Sequence, residues 1–408
     1  MKNILKRNIV ACYISDAIFG TAFQIPIWIV YQSKFLNFEQ IAFFAGLAMI
    51  VEAIMQMPTG AFADLFGRRL SLALGNLFMA LPMFLIAFFP HPEIMWLYAI
   101  MWGLGNAFSM GTSKPIIYDT LKKYNKEELF GRIISRSAAF FQISAAASIA
   151  VGGYLYQISP NLPYIVSGLG SLIGIFTAFI FIEPKFDKSP FELSKFISTN
   201  KHGFIEIFKN SYMVKLTILF TLILGIAQVT QQFFVQPYML ELGMNDIERG
   251  WVAMVVRIIV ALLGILIVSS KKIFHNKLFI LIIPILMVAT LIPAKFIALP
   301  IAYLMIVGIG FTSGNSNVFM TPEVNENINS NIRSTALSAQ KMIASLIKAC
   351  VQWISALIIV KSSVGTFITY LGVFSLIIIL PLAISVMRHK HRIVSGETIL
   401  VSDSSEKI

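Results

Sequence analysis

The chain is 408 residues long, 57% of them apolar or aromatic and only 13% charged, where soluble globular proteins carry roughly 45–50% and about 25%. Too little charge is present to cover a water-facing surface, so an ordinary soluble enzyme is excluded and lipid is the expected solvent for most of the chain. The net charge of +12 raises a nucleic-acid partner, and that reading depends on where the charges fall.

At ~20 residues per crossing, apolar runs broken by turn residues and charge predict twelve spans. The first, 8–30, follows a basic N-terminus with Lys2, Lys6 and Arg7. The run contains Asp16 and Gln24 and has no small-residue cleavage site, so it reads as an uncleaved span rather than a signal peptide. The second, 39–60, carries Glu52 and, one turn on, Gln56. Residues 70–89 form the third. The fourth, 94–115, holds Asn106, and the fifth, 135–157, presents a small-residue face of Ser144, Ser148, Gly152 and Gly153 suited to close helix packing. The sixth is 163–183.

A connection over 184–212, rich in lysine and containing the amphipathic stretch Phe204-Ile-Glu-Ile-Phe208, divides the chain six plus six. Span seven, 213–240, places Gln228, Gln232 and Gln236 at helical i, i+4, i+8 spacing, beside the aromatic Phe233, Phe234 and Tyr238. Span eight, 249–270, contains Arg257; spans nine and ten are 278–294 and 298–320, the latter with Asn315. Span eleven, 335–360, carries Lys341 and Lys348 on one face, and span twelve is 364–387, before a basic tail over 388–408.

Lysine and arginine settle the expected orientation, because cytoplasmic loops hold them in excess. With the N-terminus inside, 24 of the 32 fall in inner segments, and only Lys34, Arg249, Lys295 and Lys361 lie in outer loops. Both termini are therefore expected in the cytoplasm. The basic residues are scattered over seven short inner segments, which accounts for the charge without nucleic acid.

After span two the sequence reads Gly60-Ala-Phe-Ala-Asp64-Leu-Phe-Gly67-Arg68-Arg69. This resembles the G-x-x-x-D-[RK]-x-G-R-[RK] loop of the major facilitator superfamily, in the position where that family has it, with Leu65 in place of the usual basic residue. Read physically, Gly60 permits close helix approach, Asp64 accepts hydrogen bonds from a helix N-terminus or pairs with an arginine, Gly67 permits a tight turn, and Arg68 and Arg69 anchor the loop to the inner face. Phe19-Gly20 followed by Pro26, and Tyr118-Asp119-Thr-Leu121 followed by Gly131-Arg132, are softer resemblances to the same family. The antiporter proline of span five and the basic residue of span four are absent, so the motifs alone do not establish proton antiport. The resemblance implies an all-α membrane protein with twelve transmembrane helices in two six-helix bundles, 1–183 and 213–387, joined by the 184–212 linker.

Ionisable groups inside spans are costly in lipid and are expected to face a cavity or a partner. Asp16 and Glu52, each ~12–13 Å from the inner edge by helical rise, are proton-coupling candidates. Arg257 and Lys348 are too deep to snorkel and are expected to meet an anionic substrate group or to pair with Asp16 or Glu52. With Gln24, Gln56, Asn106, Gln228, Gln232, Gln236 and Asn315 they form the candidate substrate cavity.

The five histidines lie in loops or the tail, without metal or hydrolase spacing, and Cys12 and Cys350 sit in apolar runs, so neither metal, cofactor, disulfide nor enzymatic chemistry is expected. The expected function is alternating-access transport of a small organic solute by a monomer in a bacterial plasma (inner) membrane, coupled to protons and directed outward. Uptake symport, a lipid-linked substrate flippase, and a non-transporting binding or signalling protein are the alternatives.

Overall fold

The computed structural model describes residues 2–109, 112–183, 193–269, 279–328 and 333–394, and among them all regular structure is helical. Among the described residues, seven helical stretches are long and apolar enough to cross a membrane: Phe38–Phe66, Arg68–Phe88, Glu127–Ile158, Ser211–Glu241, Leu299–Asn317, Thr335–Ile359 and Val364–His389. Leu162–Ala178 and Ile280–Lys295 are apolar but shorter.

In chain order the helices are α1 (Lys2–Gly20), α2 (Trp28–Gln32), α3 (Phe38–Phe66), α4 (Arg68–Phe88), α5 (Ile94–Ser109), α6 (Ser113–Lys123), α7 (Phe130–Ile158), α8 (Leu162–Ala178) and α9 (Leu193–Glu206). They continue with α10 (Ser211–Val229), α11 (Val235–Glu241), α12 (Asp246–Ser269), α13 (Phe279–Leu291), α14 (Leu299–Asn327), α15 (Arg333–Ile359), α16 (Val364–Phe374) and α17 (Leu380–Val394). Several begin where a polar residue precedes an apolar run. Asn37 and Gln40 close a reciprocal capping box on α3, with Asn37 Oδ1 accepting from Gln40 N–H at 2.8 Å. Asn245 and Glu248 do the same for α12, and Asn210 caps α10. Each cap satisfies backbone donors that the helix leaves open.

The largest departure from expectation is the first span, which is not one helix. It stops at Gly20, turns through residues 21–27 and resumes as α2. Gly20 weakens the helix, and Pro26 lacks a backbone donor and crowds the carbonyl one turn earlier. The freed groups are satisfied from distant helices. Ala22 N–H donates to Ser148 Oγ at 3.2 Å and Phe23 N–H to Ser167 Oγ at 3.0 Å. Ile29 N–H donates to Gln236 Oε1 at 3.0 Å, while Gln236 Nε2 donates to the Ile25 carbonyl at 3.3 Å.

Span seven departs as well. A wide π turn over Thr230–Phe234 interrupts it, and a second lies at Ser375–Ile379. One extra residue in the turn rotates everything beyond it, so Gln228, Gln232 and Gln236 do not form one stripe. Gln228 is half-buried, Gln232 exposed and Gln236 buried. Helix α6 carries the chain to Lys123, beyond the expected end of span four at 115, and α9 occupies part of the connection expected as linker.

Helix α4 packs against α8 and α5, α3 against α5, and α1 against α7 and α8. Later in the chain, α10 packs against α15 and α14, α13 against α14 and α16, and α12 against α14. Two long seams join these groups, α3 with α15 and α7 with α12. The small residues of α7 make such approach possible. A Cβ on Gly152 would lie 2.1 Å from the Phe23 carbonyl oxygen, and one on Gly153 2.5 Å from that of Asp246.

Because the obstacle at Gly152 is backbone rather than a movable side chain, Gly152→Val is expected to destabilise the protein by ~1–3 kcal/mol, as overpacking does. Thermal unfolding in detergent followed by tryptophan fluorescence measures it, and an unchanged midpoint would contradict the close approach of α7 to the α1–α2 turn.

Candidate functional site: buried charges at two helix seams

Glu52 lies near the middle of α3 and Lys348 in the middle of α15, with only 4% and 6% of their surfaces exposed. The Lys348 ammonium is the opposite charge acting on the Glu52 carboxylate across the seam. The two do not reach direct ion-pair distance, so Lys348 offsets only part of what burial costs the Glu52 carboxylate. One turn or more away, Trp353 of α15 settles into the gap left by Gly46 of α3, where a Cβ would lie 2.3 Å from the indole nitrogen. Its Nε1–H donates to the Phe43 carbonyl at 3.2 Å, and its ring stacks on that of Phe43 at 6.2 Å. Glycine and tryptophan thus hold the seam closed beside the charged pair.

The second seam carries the second deep cation. Arg257 of α12 is half-buried, donates from Nη1 to Gln142 Oε1 of α7 at 3.0 Å, and sits 5.9 Å from the ring centre of Phe141.

Asp16 and Glu52 have separate partners rather than a shared site. Asp16 Oδ2 accepts from Ser137 Oγ of α7 at 2.6 Å, and Cys12 Sγ lies 3.2 Å from the same hydroxyl. The remaining polar candidates are similarly dispersed. Gln24 Oε1 accepts from Ser167 Oγ at 2.6 Å beside a cavity of about 30 Å³ that Asn76 and Trp102 also line. Asn106 and Asn315 each donate to a carbonyl one turn back on their own helix, Trp102 at 3.0 Å and Phe311 at 3.3 Å. Gln56 is half-buried one turn beyond Glu52. Gln236 serves the broken first span.

The loop after α3 turns at Gly67, whose φ of +103° is one that side-chain-bearing residues rarely adopt. Arg68 pairs with Asp119 of α6 at 2.5 Å. Arg69 N–H, at the start of α4, donates to the Glu183 carboxylate, and its guanidinium donates to the Phe179 carbonyl at 3.1 Å. A carboxylate at a helix N-terminus is favoured by the exposed donors there. Gly60 departs from expectation, because among the described residues a Cβ there would meet nothing within 4 Å, so no close approach of a described helix depends on it. Asp64 is exposed. Sequence reasoning missed Glu183, Gln142 and Trp353. Only Glu183 had a local signal, as an acidic residue closing an apolar run ahead of a basic connection.

Contacts between residues 2–183 and 193–394 are unevenly placed. The hydrogen bonds and ring contacts between them whose two partners are both described fall at mid-length or at the end bearing Lys34 and Lys361. They are Gln236 with Ile25 and Ile29, Phe233 with Trp28 and Phe38, Trp353 with Phe43, Trp251 with Tyr154, and Arg257 with Phe141 and Gln142.

The family model of the Major Facilitator Superfamily matches residues 9–351. The MFS-type transporter YxaM of Bacillus subtilis (strain 168) is 25% identical over 252 residues, 59% of this chain and 61% of that protein. The tetracycline resistance protein, class B, of Escherichia coli is 25% identical over 253 residues, 60% of each chain. The match thus spans about three fifths of these curated relatives. In fold, the nucleoside transporter NupG superposes with a TM-score of 0.72 at 14% identity, over 95% of this chain and 98% of that one.

A double-mutant cycle tests the Glu52–Lys348 seam. Lys348→Met and Glu52→Gln should be non-additive, with a coupling of ~0.5–3 kcal/mol, when unfolding is titrated with SDS in mixed micelles. Strict additivity would dissolve the pair.

Proposed function

The chain belongs to the Major Facilitator Superfamily, and from that premise we propose that it exports a small organic solute by alternating access, driven by protons moving inward. In this reading twelve helical spans form two bundles, 1–183 and 213–387, linked by 184–212, with both termini and the 388–408 tail in the cytoplasm of a bacterial cell. Twenty-four basic residues in the inner segments support that orientation. The end bearing Lys34 and Lys361 then faces outward, and the contacts gathered there support a carrier closed on its outer side.

The observation that carries the proposal is the buried Glu52 facing the buried Lys348 between helices from opposite halves of the chain. Ionised, Glu52 neutralises Lys348 and favours the closed outer seam. Protonated, it withdraws that attraction and favours separation of α3 from α15. A proton taken up from outside and released inside therefore biases the rocking of one bundle against the other, because only an interaction that differs between two states can shift their balance. Asp16 is the second proton candidate, held by Ser137 where α1 meets α7. Gln24, Gln56, Asn106, Gln228, Gln232 and Asn315 supply neutral polar groups around the path. Arg68 and Arg69, with Gly67 at the turn, organise the cytoplasmic loop, with Gly60 and Asp64 belonging to the same motif. Export rather than uptake is supported by the likeness to a tetracycline resistance protein.

Proteoliposomes with an imposed pH gradient test the coupling, with tetracycline as the probe solute. The wild type should accumulate it against its gradient, and Asp16→Asn or Glu52→Gln should cut driven flux at least ~10-fold, as loss of ~1.4 kcal/mol in a rate-limiting step does. Full driven flux in both variants and in the double variant would refute the assignment of these carboxylates. Flux running in the direction of the proton would make the protein a symporter.

A further inference from the structure

The two seams are built alike but balanced differently. Lys348 lies eleven residues before Ile359, the end of α15, and Arg257 eleven residues after Asp246, the start of α12. These two helix ends lie at the same end of the molecule, so both cations sit ~16 Å in from it by helical rise. Each comes from the second half of the chain and faces a helix of the first half. Lys348 has the Glu52 carboxylate as an opposite charge across the seam, beyond direct ion-pair distance, whereas Arg257 bonds the neutral amide of Gln142 and has no such charge beside it.

A guanidinium has five N–H donors and a fixed positive charge. At Arg257 one donor is used on Gln142, at 3.0 Å, and the charge otherwise has the face of Phe141, at 5.9 Å. Among the described residues no carboxylate lies within ion-pair distance of it. A cation at this depth costs several kcal/mol unless something compensates it, and a ring face returns only a part. The surroundings say what kind of body the missing counter-charge has. Phe141 packs at 6.1 Å against Phe19 of α1, which is 42% exposed, so an aromatic surface leads away from the guanidinium.

From this we infer that Arg257 is the docking point for an organic anion, a carboxylate or similar oxyanion carried on an apolar or aromatic body that lies along Phe141 and Phe19. The inference rests on the transport reading above and names the class of its solute. The anion completes the second seam as Glu52 completes the first. The planar fork of arginine engages two oxygens of one carboxylate at once, which an ammonium cannot do. Gln142, holding one Nη1 donor, fixes the orientation of the fork.

The test uses the purified full-length protein and two probes that differ only in charge, dansylglycine and its neutral amide. Dansyl fluorescence should report wild-type binding of the carboxylate about tenfold tighter than the amide, as a charge-assisted hydrogen bond implies. Arg257→Gln should abolish the preference, and Arg257→Lys should keep part of it. The wild-type comparison needs no variant, so a misfolded mutant does not decide the outcome. Equal binding of the two probes, no binding of either, or a preference that survives in Arg257→Gln would overturn the inference. Counterflow of the same probes in vesicles separates the two readings. Charge-selective binding without counterflow supports the anion site and defeats the transport reading, whereas counterflow of amide and carboxylate alike supports transport and defeats the anion site.

Discussion

A bilayer interior offers no water, so every peptide group and every charge placed there must find its partner within the protein. The rest of this structure follows from that constraint. An unbroken helix satisfies its own backbone, and most of the chain takes that course. Where the helix fails, between Gly20 and Trp28, four side-chain groups must replace it, and they come from α7, α8 and α11. The break therefore ties together segments more than a hundred residues apart. Gln236 matters most in this, because it bonds both a donor and an acceptor of the broken span from the other half of the chain.

The same requirement applied to charge produces the seams. Burial is costly for both Glu52 and Lys348, and the attraction between them across the seam, though short of a direct ion pair, favours contact of α3 with α15 over separation. Gly46 and Trp353 add a steric reason close by. Contacts of these two kinds respond differently to change. The packing persists whatever the protonation state, while the electrostatic part disappears when the carboxylate takes a proton. A seam with one constant and one switchable component can be biased without being dismantled, as a carrier that cycles between states requires.

Much of this was legible in the sequence because lipid imposes simple patterns. Low charge, apolar runs of span length and the one-sided distribution of lysine and arginine predicted helices where helices are found, and the deep residues Asp16, Glu52, Arg257 and Lys348 stood out by their cost. Gly67 announced its turn, and its positive φ accords with the glycine. Other features could not be read because their causes are tertiary. Gly20 and Pro26 were visible, but whether they bend or break a helix depends on whether Ser148, Ser167 and Gln236 are within reach. The π turn at Thr230–Phe234 leaves no local mark, so the glutamines of span seven were assigned a common face that they do not have. Trp353 reads in sequence as one more apolar residue, because its partner Gly46 lies some three hundred positions away. Gly60 shows the converse, since a motif glycine suggests close packing where no described residue comes near.

The loop following α3 bears on how the molecule can move. Arg68 reaches Asp119 on α6, Arg69 reaches Glu183 and the Phe179 carbonyl just beyond α8, and Arg7 donates to the carbonyl of Ile180. Asn8 adds bonds to Thr120 and to both backbone groups of Ile182. All of these join segments within residues 2–183, and together they brace four helices against one another at the end that carries the N-terminus. A braced bundle transmits displacement as a unit. Rearrangement of one half against the other would then fall on the long seams between them, α3 against α15 and α7 against α12. Those are the seams that hold the buried carboxylate and the two deep cations, so in the proposed cycle the candidate proton and anion groups lie on the surfaces that move against each other.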